Sequence, residues 1–271
     1  MNKFTKAMLA CAVCASVVLS AQSVRADEML VNRGLPTTNL NLAAGSSQSN
    51  VDWTWGDKGT TSDGGYTLVG DSFTNTSLST WNISTIQMWS DTNGTLSDLA
   101  LWGGIDGSPS NITSISTTAV VTPTTYPGTN YGYQAGSNGL FYTLQQIDFA
   151  VDVSLAPGQT YDFFLNGSDS DDPAYDYMPF AEASNASLSG SPQDGSNGLY
   201  LAAYLSNDNV ITSVWEENSA TDGSWNKSSD IDVQVFGSSV PDAGSSVLLL
   251  GLAMIGLVGF RAALKKVAAQ A

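Results

Sequence analysis

Histidine is absent from this 271-residue chain. No Ser–His or Cys–His nucleophilic dyad and no His-ligated zinc site can be built from it. Cysteine is nearly absent too: Cys11 and Cys14 lie together near the N-terminus, and the sequence after them contains none. The body must therefore hold together by burial, even in a compartment that would permit disulfides. Basic side chains are scarce, with nine Lys and Arg against 25 Asp and Glu and a formal net charge of −16. All the acidic residues fall between Asp27 and Asp242, where the cations are Arg33, Lys58 and Lys227 alone. That balance excludes nucleic acid as a partner, because phosphate contacts need clustered Lys and Arg. Acidity of this kind suits solubility, salty surroundings or divalent cations.

Both ends of the chain read as addressing segments. Lys3 and Lys6 precede an apolar stretch over residues 7–19, and Val24-Arg25-Ala26 supplies a small-residue cleavage site. Residues 1–26 are therefore expected to be a secretory signal peptide, cut between Ala26 and Asp27. A lipoprotein reading of Cys11 is disfavoured, because too little apolar sequence precedes it. At the other end, Val240-Pro241-Asp242-Ala243-Gly244 leads into an apolar run over residues 247–260, followed by Arg261, Lys265 and Lys266. The run is shorter than the roughly 20 residues that usually span a bilayer and gains length from the small and apolar residues on either side. It predicts a transmembrane helix over 247–264, with 265–271 held in the cytoplasm by the basic residues and the body facing outward.

The order of short motif, hydrophobic stretch and basic end resembles the C-terminal sorting signal of bacterial PEP-CTERM proteins. The wording is closest to the variant written Val-Pro-Asp-Ser-Gly, with Ala243 in place of the serine. The resemblance implies that Val240, Pro241, Asp242, Ala243 and Gly244 are recognised by an exosortase, a membrane-embedded transpeptidase-like enzyme of Gram-negative bacteria that make exopolysaccharide. It implies transient residence in the inner membrane, then delivery to the cell surface or extracellular matrix, with exopolysaccharide as a possible neighbour. Three phrases of the body, residues 81–89, 153–161 and 230–237, are similar to recurring phrases of the β-sandwich domains that precede such tails. No catalytic residue is carried across.

Between the two ends, residues 27–237 are rich in Ser, Thr, Gly and Asn and carry no long helical periodicity. Residues 147–155 alternate apolar with small or polar side chains, the period-2 pattern of a half-buried strand. Ala156-Pro157-Gly158-Gln159 fits a type II turn, and residues 160–165 return as a second strand, so a β-hairpin is expected here, with Ile147, Phe149, Val151 and Val153 facing inward. Further strands are expected over 66–69, 82–89, 99–102, 112–121, 199–205, 210–215 and 231–236. The fold class is therefore all-β: a single sandwich or jelly-roll-like domain, followed by a tether and motif over 238–246.

Two constellations carry binding chemistry. Asn166, Asp169, Asp171, Asp172 and Asp176 crowd a short loop whose hard oxygens can ligate calcium, although Pro173 and Ala174 break the EF-hand spacing. A solvated acidic loop is the alternative. Trp53 and Trp55 share one face if they lie on a strand, where exposed indoles can stack on sugar rings. Core packing is the alternative for these and for the other tryptophans. Glu216 and Glu217 are adjacent and would point to opposite faces of a strand, a poor pair for glycan hydrolysis. The reading that follows is an exported, non-catalytic surface protein that needs no cofactor, with calcium the one candidate. A carbohydrate-binding module is the runner-up, and a carboxylate-dependent hydrolase comes third.

Overall fold

The computed structural model describes residues 27–34, 52–54, 65–92, 95–123, 134–135, 140–141, 143–169, 180–185, 199–217 and 229–241. The described chain is all-β apart from one 3-10 turn, and two antiparallel sheets face each other across a shared core. In the first sheet the main path runs β1 (Glu28–Arg33), β16 (Val233–Pro241), β4 (Ser79–Thr92), β10 (Thr143–Leu155) and β7 (Ala119–Pro123). A side branch joins β12 (Phe180–Asn185) to β4, to β2 (Asp52–Thr54) and to β15 (Ser229–Ile231). The second sheet runs β14 (Ile211–Glu217), β13 (Tyr200–Leu205), β3 (Tyr66–Thr74), β11 (Thr160–Asp169), β5 (Leu96–Ile105) and β6 (Thr113–Ser116). A small separate ribbon pairs β8 (Gln134–Ala135) with β9 (Leu140–Phe141).

Alternation along the strands builds the core. Ile86 and Met88 of β4, Ile147 and Phe149 of β10 and Val235 of β16 point from the first sheet at Phe73, Leu101, Tyr161 and Phe163 of the second. The inward set on β4 changes parity, from Trp81 and Ile83 to Ile86 and Met88. A register shift explains this: Gly237 pairs with Ile83 and Phe236 with Thr85, so Ser84 is an extra residue in β4. The opposite face of the second sheet carries its own apolar cluster, including Leu68, Trp102, Phe164 and Leu205. The 3-10 turn Pro109–Asn111 contacts β14 across that face, and Ile112 packs into the cluster.

The expected hairpin is corrected. The turn is present: Gly158 has φ +78°, and the Gln159 amide donates to the Ala156 carbonyl at 3.1 Å. Its two strands, however, do not pair with each other. β10 pairs with β4 and β7, whereas β11 pairs with β3 and β5 in the other sheet, so the turn is an arch between sheets. Its backbone bonds go sideways to Asn75, which donates to Gln159 and accepts from Gly158. Ile147 and Phe149 are fully buried as expected, while Val151 and Val153 are only partly buried at a second register shift, between Ala150 and Val153.

Two expected strands are each divided. The 112–121 stretch becomes β6 and β7, which cross from one sheet to the other through Thr117 and Thr118. The 231–236 stretch becomes β15 and β16, separated at Asp232. The stretch read as a tether after Gly237 is strand instead: β16 continues to Pro241, with Val240 opposite Thr80 and Pro241 opposite Ser79. Among the described residues no helix is long and apolar enough to cross a membrane. Residues 1–26 and 247–271 lie outside the described set.

Because Phe149 is fully buried between the sheets and Val151 is half exposed to the register shift, their truncations should differ. Phe149→Ala is expected to lower unfolding free energy by about 3–5 kcal/mol. Val151→Ala should cost less than half of that, and urea unfolding of the two variants measures both. Equal losses would place Val151 as deep as Phe149 and contradict the register.

Candidate functional site

The most unusual chemistry in the described structure is a buried charge cluster at the junction of the two sheets. Alternation places Val31 and Arg33 of β1 on the inward face, and likewise Val69, Asp71 and Phe73 of β3. Arg33 is fully buried and is the one basic side chain among the described residues. Its Nη1 donates to Asp71 Oδ2 at 2.9 Å and to Asp230 Oδ1 at 3.2 Å, and its Nη2 donates to the Ser72 carbonyl. Asp71 also accepts from the amides of Ser72 at 2.6 Å and Ile231 at 2.8 Å. Asp232 is buried in the same strand-to-strand passage. Arg33 and Asp230 belong to the first sheet and Asp71 to the second, so the guanidinium clasps the sheets together.

Burial pushes the Asp71 carboxyl up to about 7, against the attraction of Arg33, with Asp230 adding repulsion and the two amides pulling the other way. A second buried carboxyl, Asp162, lies on the outer face of the second sheet beneath the loop after β5. A β-carbon at Gly107 would sit 3.3 Å from its Oδ2. Burial raises Asp162 to about 6, and the Asp106 charge beside it raises it further. Its neighbour Tyr161 turns inward, where burial, with Asp162, pushes the phenol well above its ordinary value. The Tyr161 hydroxyl has no hydrogen-bond partner among the described residues. It packs over Gly103, where a β-carbon would fall 2.5 Å from it.

Two shallow clefts open beside this core. One of about 490 Å³ lies between β5 and β7, lined by Leu96, Asp98, Ala119 and Val121 among others. The other, of about 420 Å³, lies between β5 and β10, with Tyr161, Asn111, Asp152 and Ser154 on its walls. Among the described residues each is lined by a single carboxylate, Asp98 or Asp152.

The residues singled out from sequence fall as follows. Val240 and Pro241 end β16, and Val240 is exposed; Asp242, Ala243, Gly244, Arg261, Lys265 and Lys266 lie outside the described residues. Asp27 accepts a hydrogen bond from Ser84 Oγ at 2.8 Å, while Ala26 lies outside. Asn166 and Asp169 are in β11 rather than in a loop, with Asn166 half-buried opposite Ala100 and Asp169 opposite Leu96; Asp171, Asp172 and Asp176 lie outside. Trp53 pairs with Glu182 at the edge of the side branch, and Trp55 lies outside. Trp81, Trp89 and Trp102 are core residues. Glu216 is exposed on the edge strand β14.

The Arg33 cluster was not singled out from sequence, although a signal for it exists. A charge at position 71 between inward-facing Val69 and Phe73, and a basic residue two after Val31, each break an apolar alternation. The chain matches no protein-family model, no curated protein and no solved structure.

Both raised carboxyls make stability depend on pH in the direction opposite to an ordinary salt-bridged acid. Below about pH 4 the folded and unfolded states are both protonated; between there and the folded values the native state keeps a proton that the unfolded chain has lost. Stability should therefore fall as pH rises from about 4 through 7. Asp162→Asn should flatten the lower part of that slope, up to about pH 6, in thermal melts. Arg33→Met should cost about 3–5 kcal/mol, because it strands buried carboxylates. Adding Asp71→Leu and Asp230→Leu should recover most of the loss, and urea titration of the single and triple variants decides it.

Proposed function

We propose that this chain is an exported, non-catalytic protein of the cell surface or extracellular matrix, delivered there by its C-terminal tail. In this reading residues 1–26 are removed on export, the jelly-roll-like β domain folds outside, and a helix over 247–264 holds the precursor in the inner membrane. An exosortase then acts on the Val240–Gly244 motif of a Gram-negative host. The observation that carries the proposal is the tail itself, in which motif, apolar run and basic residues stand in that order. The fold is compatible with it, since the last strand runs directly into the motif instead of ending well before it. The lack of basic side chains other than the buried Arg33 among the described residues disfavours docking on an anionic surface.

Two variants test the reading. Deleting residues 247–271 should release the domain as soluble exported protein, which cell fractionation and immunoblotting would detect. Replacing Pro241 and Asp242 with alanine should leave insertion intact and hold the full-length precursor in the inner membrane. Normal surface delivery of that double variant would count against the motif.

A further inference from the structure

We infer that the loop after β5, over residues 106–111, and Asp162 of β11 together form a low-affinity calcium site on the outer face of the second sheet. It shares no residue with the 166–176 stretch that the sequence suggested for the same ion. Register brings its two carboxylates together. Asp162 stands opposite Gly104 of β5, and Asp106 follows two residues later, its amide donating to the Thr160 carbonyl at 3.0 Å. Diagonal neighbours of this kind lie roughly 7–8 Å apart, close enough for one ion to bridge their side chains. The Asp162 carboxyl is the group that asks for a ligand. Asp162 is 4% exposed and accepts no hydrogen bond from any described residue. Its Oδ2 points up into the loop, where a β-carbon at Gly107 would sit 3.3 Å from it. A buried carboxylate with neither donor nor counter-charge is costly. Among the described residues the one basic side chain, Arg33, is already engaged with Asp71 and Asp230.

The loop supplies further hard oxygens. Asp106, Ser108 and Ser110 alternate along it, the spacing at which the first three ligands of a calcium-binding loop occur. Ser108 Oγ and Ser110 Oγ lie 2.9 Å apart, so the two hydroxyls converge. Bonds that do not involve Asp162 hold the loop in shape: the Asn111 amide donates to the Ser108 carbonyl at 2.8 Å, and Asn111 Nδ2 donates to the Ile105 carbonyl at 3.1 Å. Gly107, at φ +63°, places no side chain over the carboxylate. A donor set of oxygens alone, without nitrogen or sulfur, selects calcium or magnesium over zinc. Magnesium demands near-octahedral geometry and gives up its waters reluctantly, whereas calcium accepts an irregular mixture of carboxylates, hydroxyls and carbonyls. With two carboxylates the site belongs at the weak end of calcium affinities, with a dissociation constant of about 0.1–1 mM.

Thermal melts of the full chain, stripped of metal with EDTA near neutral pH, test the site with calcium chloride as the probe. An ion that binds only the folded state stabilises it, so calcium at about ten times its dissociation constant should raise the melting temperature by roughly 3–6 °C. Magnesium at the same concentration should give less than half of that rise. Asp162→Asn should abolish the calcium effect. Asp106→Asn provides a second arm, because the position is exposed and asparagine tolerates its left-handed backbone, and it should remove most of the rise without disturbing the core. Asp171→Asn with Asp172→Asn should leave the rise in place. Three outcomes would overturn the inference: no rise with calcium, an equal rise with magnesium, which would mean general screening of the acidic surface, or a rise undiminished in Asp106→Asn. None of these variants touches the tail, so the result is independent of the sorting reading.

Discussion

The arrangement of the two sheets depends on one cation. Hydrophobic burial between sheets is non-directional and tolerates sliding, whereas the Arg33 guanidinium is tied at fixed angles to Asp71 and the Ser72 carbonyl on one sheet and to Asp230 on the other. Burying these groups carries a desolvation cost that the pairing offsets only while every partner is in place. A one-residue slip of β1 would turn Arg33 to the opposite face and leave the carboxylates without their counter-charge, so the cluster penalises wrong registers far more than the apolar core does. With no disulfide available in the body, this is the most specific link that the described residues provide between the layers.

What the sequence revealed of the fold was local. Period-2 alternation identified the strands around Ile147 and Phe149, and the Pro157-Gly158 pair identified a type II turn that is present with Gly158 at φ +78°. Alternation is blind to partners, however. The same pattern serves a hairpin, in which two strands pair, and an arch, in which they face each other from separate sheets. The difference lies with Asn75, eighty residues before Leu155, whose side chain and backbone occupy the bonds at the turn. The divided strands escaped for a related reason. Residues 112–121 and 231–236 mix apolar with polar side chains and contain no Gly, Pro or Asn to mark a turn, and the breaks come from the position of Thr117, Thr118 and Asp232 between sheets or branches.

The candidate chemistry was legible in type and not in place. Acidic residues were expected to matter for a cation, yet Asn166 and Asp169 proved to be strand positions, and the carboxylates with the strongest physical anomalies are Asp71 and Asp162. In sequence these are isolated acids within apolar stretches. Their environment comes from chain segments far away: Arg33 and Ile231 around the first, Asp106 and Gly107 over the second. No local spacing rule could bring those groups together.

The sheet order also has a topological consequence. β1 and β16 are antiparallel neighbours, with Glu28 opposite Gly237, so the start of β1 and the end of β16 emerge at the same end of the first sheet. Asp27 is held there by Ser84, and Ser239 by Glu28. On the proposed route, the signal peptide precedes Asp27 and the membrane helix follows the motif, so both hydrophobic segments leave the domain from one end. The sandwich can then fold with that end toward the membrane and the rest of its acidic surface directed away, with neither addressing segment having to pass around the domain. An order that put β1 and β16 at opposite ends would oblige one segment to span the height of the sheet before it reached the bilayer. The pairing of the first and last described strands is thus the part of the fold that, on the proposed route, would bring both processed termini to one end.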